Sequence, residues 1–107
     1  MLSNKYLMLK EKLEKEGIGE MTCFGNSMMP ILKSGSRITF RAEKEYKIGD
    51  FVFCKVDGRF IDCHKITKKG SDGRFMIANN HGHENGWASA IYGRAIRAVH
   101  GTDTKEF

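Results

Sequence analysis

The first part of the chain carries a helical pattern. Tyr6, Leu7, Leu9 and Leu13 fall on one broad face of residues Ser3 to Glu16, and Lys10, Glu11, Lys12, Glu14, Lys15 and Glu16 cover the rest. Ser3 or Asn4 is placed to cap the start and Gly17 to end it. Such a helix packs on its own domain or serves as a partner-binding element, self-association into a homo-oligomer included. After Gly19 the pattern shifts to short strands. Glu20 to Phe24 is the first, and a loop with one helical turn at Ser27 to Lys33 leads to Arg37 to Arg41. Phe51 to Val56 and Arg59 to Thr67 are rich in β-branched, aromatic and Cys residues, and Asp57-Gly58 between them predicts a two-residue hairpin because both positions tolerate positive φ. Ser71-Asp72-Gly73 turns the chain into a strand at Arg74 to Ala78, a polar Gly-rich loop runs from Asn79 to Gly86, and Ile91 to Val99 is read as the last strand. Many short strands and one helix predict a mainly β domain, a small coiled sheet or partly open barrel with an N-terminal α-helix.

Composition narrows this further. A chain of 107 residues, 40% apolar and 29% charged, has the size of one compact domain, expected to span residues 1–107. No apolar stretch reaches the roughly 18 residues of a membrane span, and the N-terminus alternates Lys and Glu, so a soluble, cytoplasmic protein is expected. Cys23, Cys54 and Cys63 form no CxxC spacing, which suggests reduced thiols rather than a disulfide framework or zinc ribbon. A net charge of +5 permits contact with nucleic acid without requiring it, and Trp87 and Tyr92 at strand positions read as core rather than as a stacking surface. His81-Gly82-His83 has the spacing of two imidazoles on one face, but its Gly- and Asn-rich surroundings read as a loop, so no metal or other cofactor is expected.

The chemistry gathers in two places. At Gly25-Asn26-Ser27-Met28-Met29-Pro30-Ile31-Leu32 a strand ends in a Pro-containing turn, a corner that exposes a serine hydroxyl with backbone N–H groups beside it. Serine is a weak nucleophile until a base takes its proton. His64 and Lys65 on the hairpin strand are the candidates, and alternation points them to opposite faces: Phe60, Asp62 and Ile66 go with His64, and Ile61, Cys63 and Thr67 with Lys65. Alternation does not say which face meets Ser27. Chemistry favours His64, since an imidazole titrates near neutral pH and a lysine must be strongly desolvated to do so.

The segment Gly25 to Pro30, with Leu32 and Gly35, resembles the G-x-S-M-x-P-x-L-x-x-G nucleophile box of the signal peptidase and SOS-repressor superfamily of serine peptidases. Ile48-Gly49-Asp50-Phe51-Val52 is similar to its Gly-Asp strand, Cys63-His64-Lys65-Ile66 to its base box, Ala78-Asn79-Asn80 to its Asn-Asn box, and Ile91 to Ile96 to its closing strand. The resemblance implies a coiled β fold, Ser27 as nucleophile, His64 as general base, and the N–H groups of Ser27 and Met28 as oxyanion donors. Bacterial signal peptidases and self-cleaving repressors have Lys at the base position; His is the choice of the archaeal and endoplasmic-reticulum signal peptidases. Lys65 then falls on the adjacent basic position. In His-type enzymes an acid near the Asn-Asn box is implied as third member, and Ala78 stands where it is usual; the role falls to Glu84, with Asp62 as fallback, or to no residue, leaving a Ser-His dyad. Gly25, Asn26, Pro30, Asn79 and Asn80 are implied as supporting residues, the two Asn by pinning loops. Gly25 also stands where signal peptidases often carry a hydroxyl that helps hold the oxyanion. Residues 1–19 offer no membrane anchor, and the chain has no DNA-binding helices and no Ala-Gly or Cys-Gly bond of the self-cleaving kind. The expectation is a soluble peptidase that processes a protein or peptide substrate in trans. The alternative is a catalytically silent member of the fold that regulates or scaffolds a partner.

Overall fold

A computed structural model describes residues 4–107. Helix α1 spans Asn4–Glu16, and seven strands follow: β1 Ile18–Cys23, β2 Ser36–Arg41, β3 Phe51–Val56, β4 Arg59–Lys69, β5 Phe75–Ala78, β6 Glu84–His100 and β7 Asp103–Glu106. The predicted caps, Ser3 and the Asn4 side chain, lie outside the described part of the chain. Gly17 ends the helix as its sequence suggests, with φ of +78° and an N–H donated to Leu13 O at 3.0 Å. Leu9 and Leu13 are buried and Tyr6 packs beside them, three and four residues apart along one stripe. Leu7 departs from the predicted face. It sits one residue, about 100° of helix rotation, from Tyr6, and is 42% exposed. None of the described helices is long and apolar enough to cross a membrane.

The strands run antiparallel in the order β1-β2-β6-β3-β4-β5, and β5 pairs again with β6, so β6, β3, β4 and β5 close into a ring. The fold is mainly β, with 52% of the described residues in strands. The β3–β4 hairpin has the predicted two-residue turn, Asp57 and Gly58 lying at φ +49° and +78° between the paired Val56 and Arg59. β6 is the organising strand. Its start pairs with β5, its middle with β3, and its end with β2 and β7. Two differences from the sequence reading fall here. Glu84, Asn85 and Gly86 belong to β6 rather than to a loop, because pairing with β5 extends a strand whose first residues are polar and turn-like. β7 is a strand without an apolar side: all four of its residues are exposed, and only the Gly101-Thr102 turn announces it.

Two apolar clusters fill the interior. One joins Leu9 and Leu13 of α1 to Ile38, Phe40, Phe53 and Cys63; the other holds Val52, Cys54, Val56, Ile66 and Ile77 inside the ring. Residues an odd number apart on a strand face opposite ways, yet Phe60 and Cys63 belong to the first cluster and Ile61 and Ile66 to the second. A bulge explains this. Val52 pairs with His64 and Cys54 with Ile61, so Asp62 and Cys63 together oppose Phe53. His64 therefore keeps the face of Ile66 and of its partner Val52, while Phe60 passes to the other side, against the simple alternation.

The helix seals the first cluster where Gly93 of β6 lets it approach: a Cβ there would lie 3.2 Å from Leu13 Cδ1 and from Phe40 Cβ. Leu13 is 2% exposed. Truncation to Leu13→Ala leaves a cavity between helix and sheet, and urea unfolding is expected to show a loss of about 2–4 kcal/mol with an unchanged m-value.

Candidate active site

Ser27 lies in the loop between β1 and β2, and its position is set by the loop's own bonds. Gly25, at φ +110°, donates its N–H to Ser34 Oγ at 2.9 Å. Met29 N donates to Asn26 O, Leu32 N to Met28 O in the single helical turn the sequence predicts, and Gly35 N to Cys23 O, which closes the loop at its base. Met28 and Leu32 are buried in the first cluster. They anchor the turn from below, so the hydroxyl between them and the strand end is held at the surface of the core. The Met29-Pro30 peptide is cis.

The turn after β5 grips the same loop from above. Asn80 N donates to Ser27 O at 2.8 Å, Asn80 Nδ2 to Met29 O at 2.9 Å, and His81 Nε2 to Asn26 O at 2.9 Å. Asn79 holds that turn together, its Oδ1 accepting from His81 N and His83 N at 2.8 and 2.9 Å. The carbonyl oxygens of Asn26, Ser27 and Met29 are thus occupied. Among the described residues the N–H groups of Ser27 and Met28 have no acceptor in the protein.

Ser27 Oγ lies 2.9 Å from His64 Nε2, and His64 Nδ1 lies 2.7 Å from Asn85 Oδ1. An amide oxygen only accepts, so Nδ1 carries the proton and Nε2 presents its lone pair to the serine hydroxyl. Burial drives the imidazole below its ordinary value of 6.5; the Asn85 bond and the Asp62 charge oppose that, and His83 adds to it. His64 is therefore neutral at pH 7, the form that can take a proton.

Glu84, expected beside His64, is elsewhere. Its carboxylate lies 3.2 Å from Lys68 Nζ on the surface; Ile77 pairs with Gly86 and Ala78 with Glu84, so Asn85 is the extra residue of a bulge, and it is Asn85 whose side chain reaches His64. Asp62 is not the partner of Nδ1, which Asn85 holds; its carboxylate lies near the Tyr6 hydroxyl, whose titration it helps to push up. Lys65, opposite Phe51 and Ala78, occupies the other face of β4 from His64 and does not approach Ser27. Asn85 was concealed by its own neighbour. Asn followed by Gly reads as a turn, and the one hint was its position a single residue from the predicted acid.

Ser27 and His64 open onto a cleft of about 260 Å³ walled by Tyr6, Cys23, Phe24, Ile38, Phe60 and Asp62. Burial pushes the thiols of Cys23 and Cys54 up to about 12 and that of Cys63 up as well, so none is a thiolate nucleophile at neutral pH. Among the described residues no three His, Cys, Asp or Glu side chains are grouped to hold a metal.

A sequence model of the family described as Peptidase S24-like matches residues 3–96. The chain belongs to the Peptidase S24-like family. This lies in the superfamily whose boxes the sequence resembles. No curated protein matches the chain. In this S24-like domain the matched span takes in Ser27, His64, Asn79, Asn80 and Asn85, while β7 lies beyond it.

The depressed imidazole has a measurable consequence. In the unfolded chain His64 binds its proton near 6.5, whereas in the folded chain it does so only at lower pH. Its contribution to stability is therefore complete above that value and is lost as pH falls through the folded value. Urea unfolding from pH 7.5 to 4.5 is expected to show a steeper loss of stability in the wild type than in His64→Gln, and the His64 Cε1 proton should titrate below the ordinary imidazole range.

Proposed function

We propose that the protein is a serine endopeptidase that processes a protein or peptide substrate by acyl transfer, with Ser27 as nucleophile and His64 as general base. The observation that carries this is the 2.9 Å contact between Ser27 Oγ and an imidazole nitrogen whose other nitrogen is fixed as a donor. Family membership supports the peptidase-like scaffold, and the neutral state of His64 supports its use as a base near pH 7.

His64 Nε2 takes the Ser27 proton as Oγ bonds to the substrate carbonyl carbon, and the carbonyl electrons move onto oxygen. That oxyanion is received by the N–H groups of Ser27 and Met28, which have no competing acceptor among the described residues. With Gly25 two positions before the nucleophile, backbone donors carry this task without a side-chain hydroxyl there. The C–N bond then breaks, the electrons return, and the imidazolium gives its proton to the departing amine. Water repeats the sequence on the acyl-enzyme: His64 accepts one proton of water, its oxygen attacks the ester, and Ser27 leaves with the proton restored.

Asn85 replaces the expected carboxylate as the group that orients the base. A neutral amide fixes the tautomer but does not stabilise the imidazolium by charge. Its cost falls on the intermediate; its benefit is a base that stays unprotonated in a half-buried site.

A fluorophosphonate probe is expected to label wild type and to lose labelling by about 10³-fold or more in Ser27→Ala and in His64→Ala. Equal labelling of wild type and a folded Ser27→Ala protein would leave only the silent, partner-binding reading. Asn85→Asp places a negative charge on Nδ1–H and raises the imidazole value; the acid limb of the labelling-rate profile should move to higher pH, and Asn85→Ala should lower the rate without that shift.

A further inference from the structure

Asp62 lines the cleft, and the acyl-transfer scheme does not use it. The bulge that sets Asp62 and Cys63 together against Phe53 brings this carboxylate into the wall of the cavity that also holds Ser27 and His64. It is the only carboxylate among the described residues lining that cavity. Nine ion pairs join carboxylates to cations elsewhere in the described chain, and Asp62 is in none of them. The Tyr6 hydroxyl, on the same cavity wall, is held protonated by burial and by the neighbouring Asp62 charge.

Leu32, Ile38, Phe60 and Ile61 line the same cavity as this half-buried acid, whose oxygens keep accepting capacity for a ligand. The cation that also lines the cleft, Lys33, pairs at 3.7 Å with Asp103 of β7. Lys5 directs its Nζ to Thr22 O at 3.0 Å and lies over the rings of Tyr6 and Phe24. A substrate side chain with an apolar stem and a cationic head would match both parts of the cavity, its methylenes against the wall and its charge on the acid. An apolar side chain would bury the carboxylate further without a counter-charge, and an acidic one would meet it with like charge.

We infer that Asp62, in the wall of the cavity that holds Ser27 and His64, is a specificity determinant that receives a lysine or arginine side chain of the peptide substrate beside the scissile bond. This rests on the peptidase reading of Ser27 and His64 and names the class of substrate for that site.

The test compares p-nitrophenyl esters of N-acetyl-lysine, N-acetyl-norleucine and N-acetyl-glutamate, near-equal in stem and different in charge. Ser27-dependent release from any ester tests the peptidase reading by itself. Given that release, kcat/KM for the lysine ester should exceed that for norleucine by roughly 10- to 100-fold, and Asp62→Asn should bring the two together while Asp62→Glu restores part of the gap. Equal rates for the lysine and norleucine esters in wild type, or a gap that survives in Asp62→Asn, would overturn the inference. So would a variant whose only change is the pH profile, since that would make Asp62 a modulator of His64. A binding arm is independent of turnover: in Ser27→Ala, titration with N-acetyl-lysine N-methylamide should shift the amide resonances of Tyr6, Asp62 and Cys63, while the norleucine compound should not. Absence of shifts at millimolar concentration, or equal shifts from both compounds, would overturn the assignment even if no ester is cleaved.

Discussion

A serine and a histidine 37 positions apart meet because the turn after β5 holds the loop after β1 by its carbonyl oxygens. Asn80 and His81 supply three of those bonds, and Asn79 keeps the turn in the shape that lets them do so. Without this clamp the loop would have only its own internal bonds, its closure at Gly35 and Cys23, and the two buried side chains of Met28 and Leu32 to fix it. The clamp also has a chemical side effect. Hydrogen bonds to the carbonyls leave the N–H groups of Ser27 and Met28 unengaged, and a peptide whose oxygen is tied on one side directs its N–H to the other. The same contacts that hold the loop thus orient its donors.

The second half of the site belongs to the sheet. His64 stands on β4 opposite Val52, and Asn85 at the start of β6 between Glu84 and Gly86, which pair with β5. Closure of the β6-β3-β4-β5 ring brings these strands around to one another, so the bond at Nδ1 is a product of topology rather than of local sequence. An amide at this point orients the imidazole, and burial makes the ring hard to protonate although the Asn85 bond works the other way. A carboxylate would have made it easier to charge. The balance here favours a base that remains neutral despite burial.

Much of this was legible in the residues, and the failures have physical causes. The helix, the Asp57-Gly58 hairpin and the mainly β class follow from periodicity and from positions that need positive φ, both local properties. The corner at Ser27 and the Asn-Asn pair were visible as motifs of a known family. The face relations along β4 were not legible, because a bulge changes parity without altering composition: no residue type announces that Asp62 and Cys63 will share one partner. β7 escaped notice since a strand with four exposed residues has no alternation to read. Glu84 was the natural choice for an acid near the imidazole. Only the start of β6, set by its long-range pairing with β5, decides that the neighbouring Asn85 points inward while Glu84 meets Lys68 in solvent.

The long sixth strand has a consequence for motion. Four different strands are stitched to it along its length, so its backbone opens only when a large part of the body opens with it. Asn85 rides on that backbone, whereas Ser27 rides on a loop. Arrival of a bulky ligand can therefore reshape the nucleophile's surroundings while the proton-accepting nitrogen keeps its aim, a division between an adaptable half and a stiff half built from one chain.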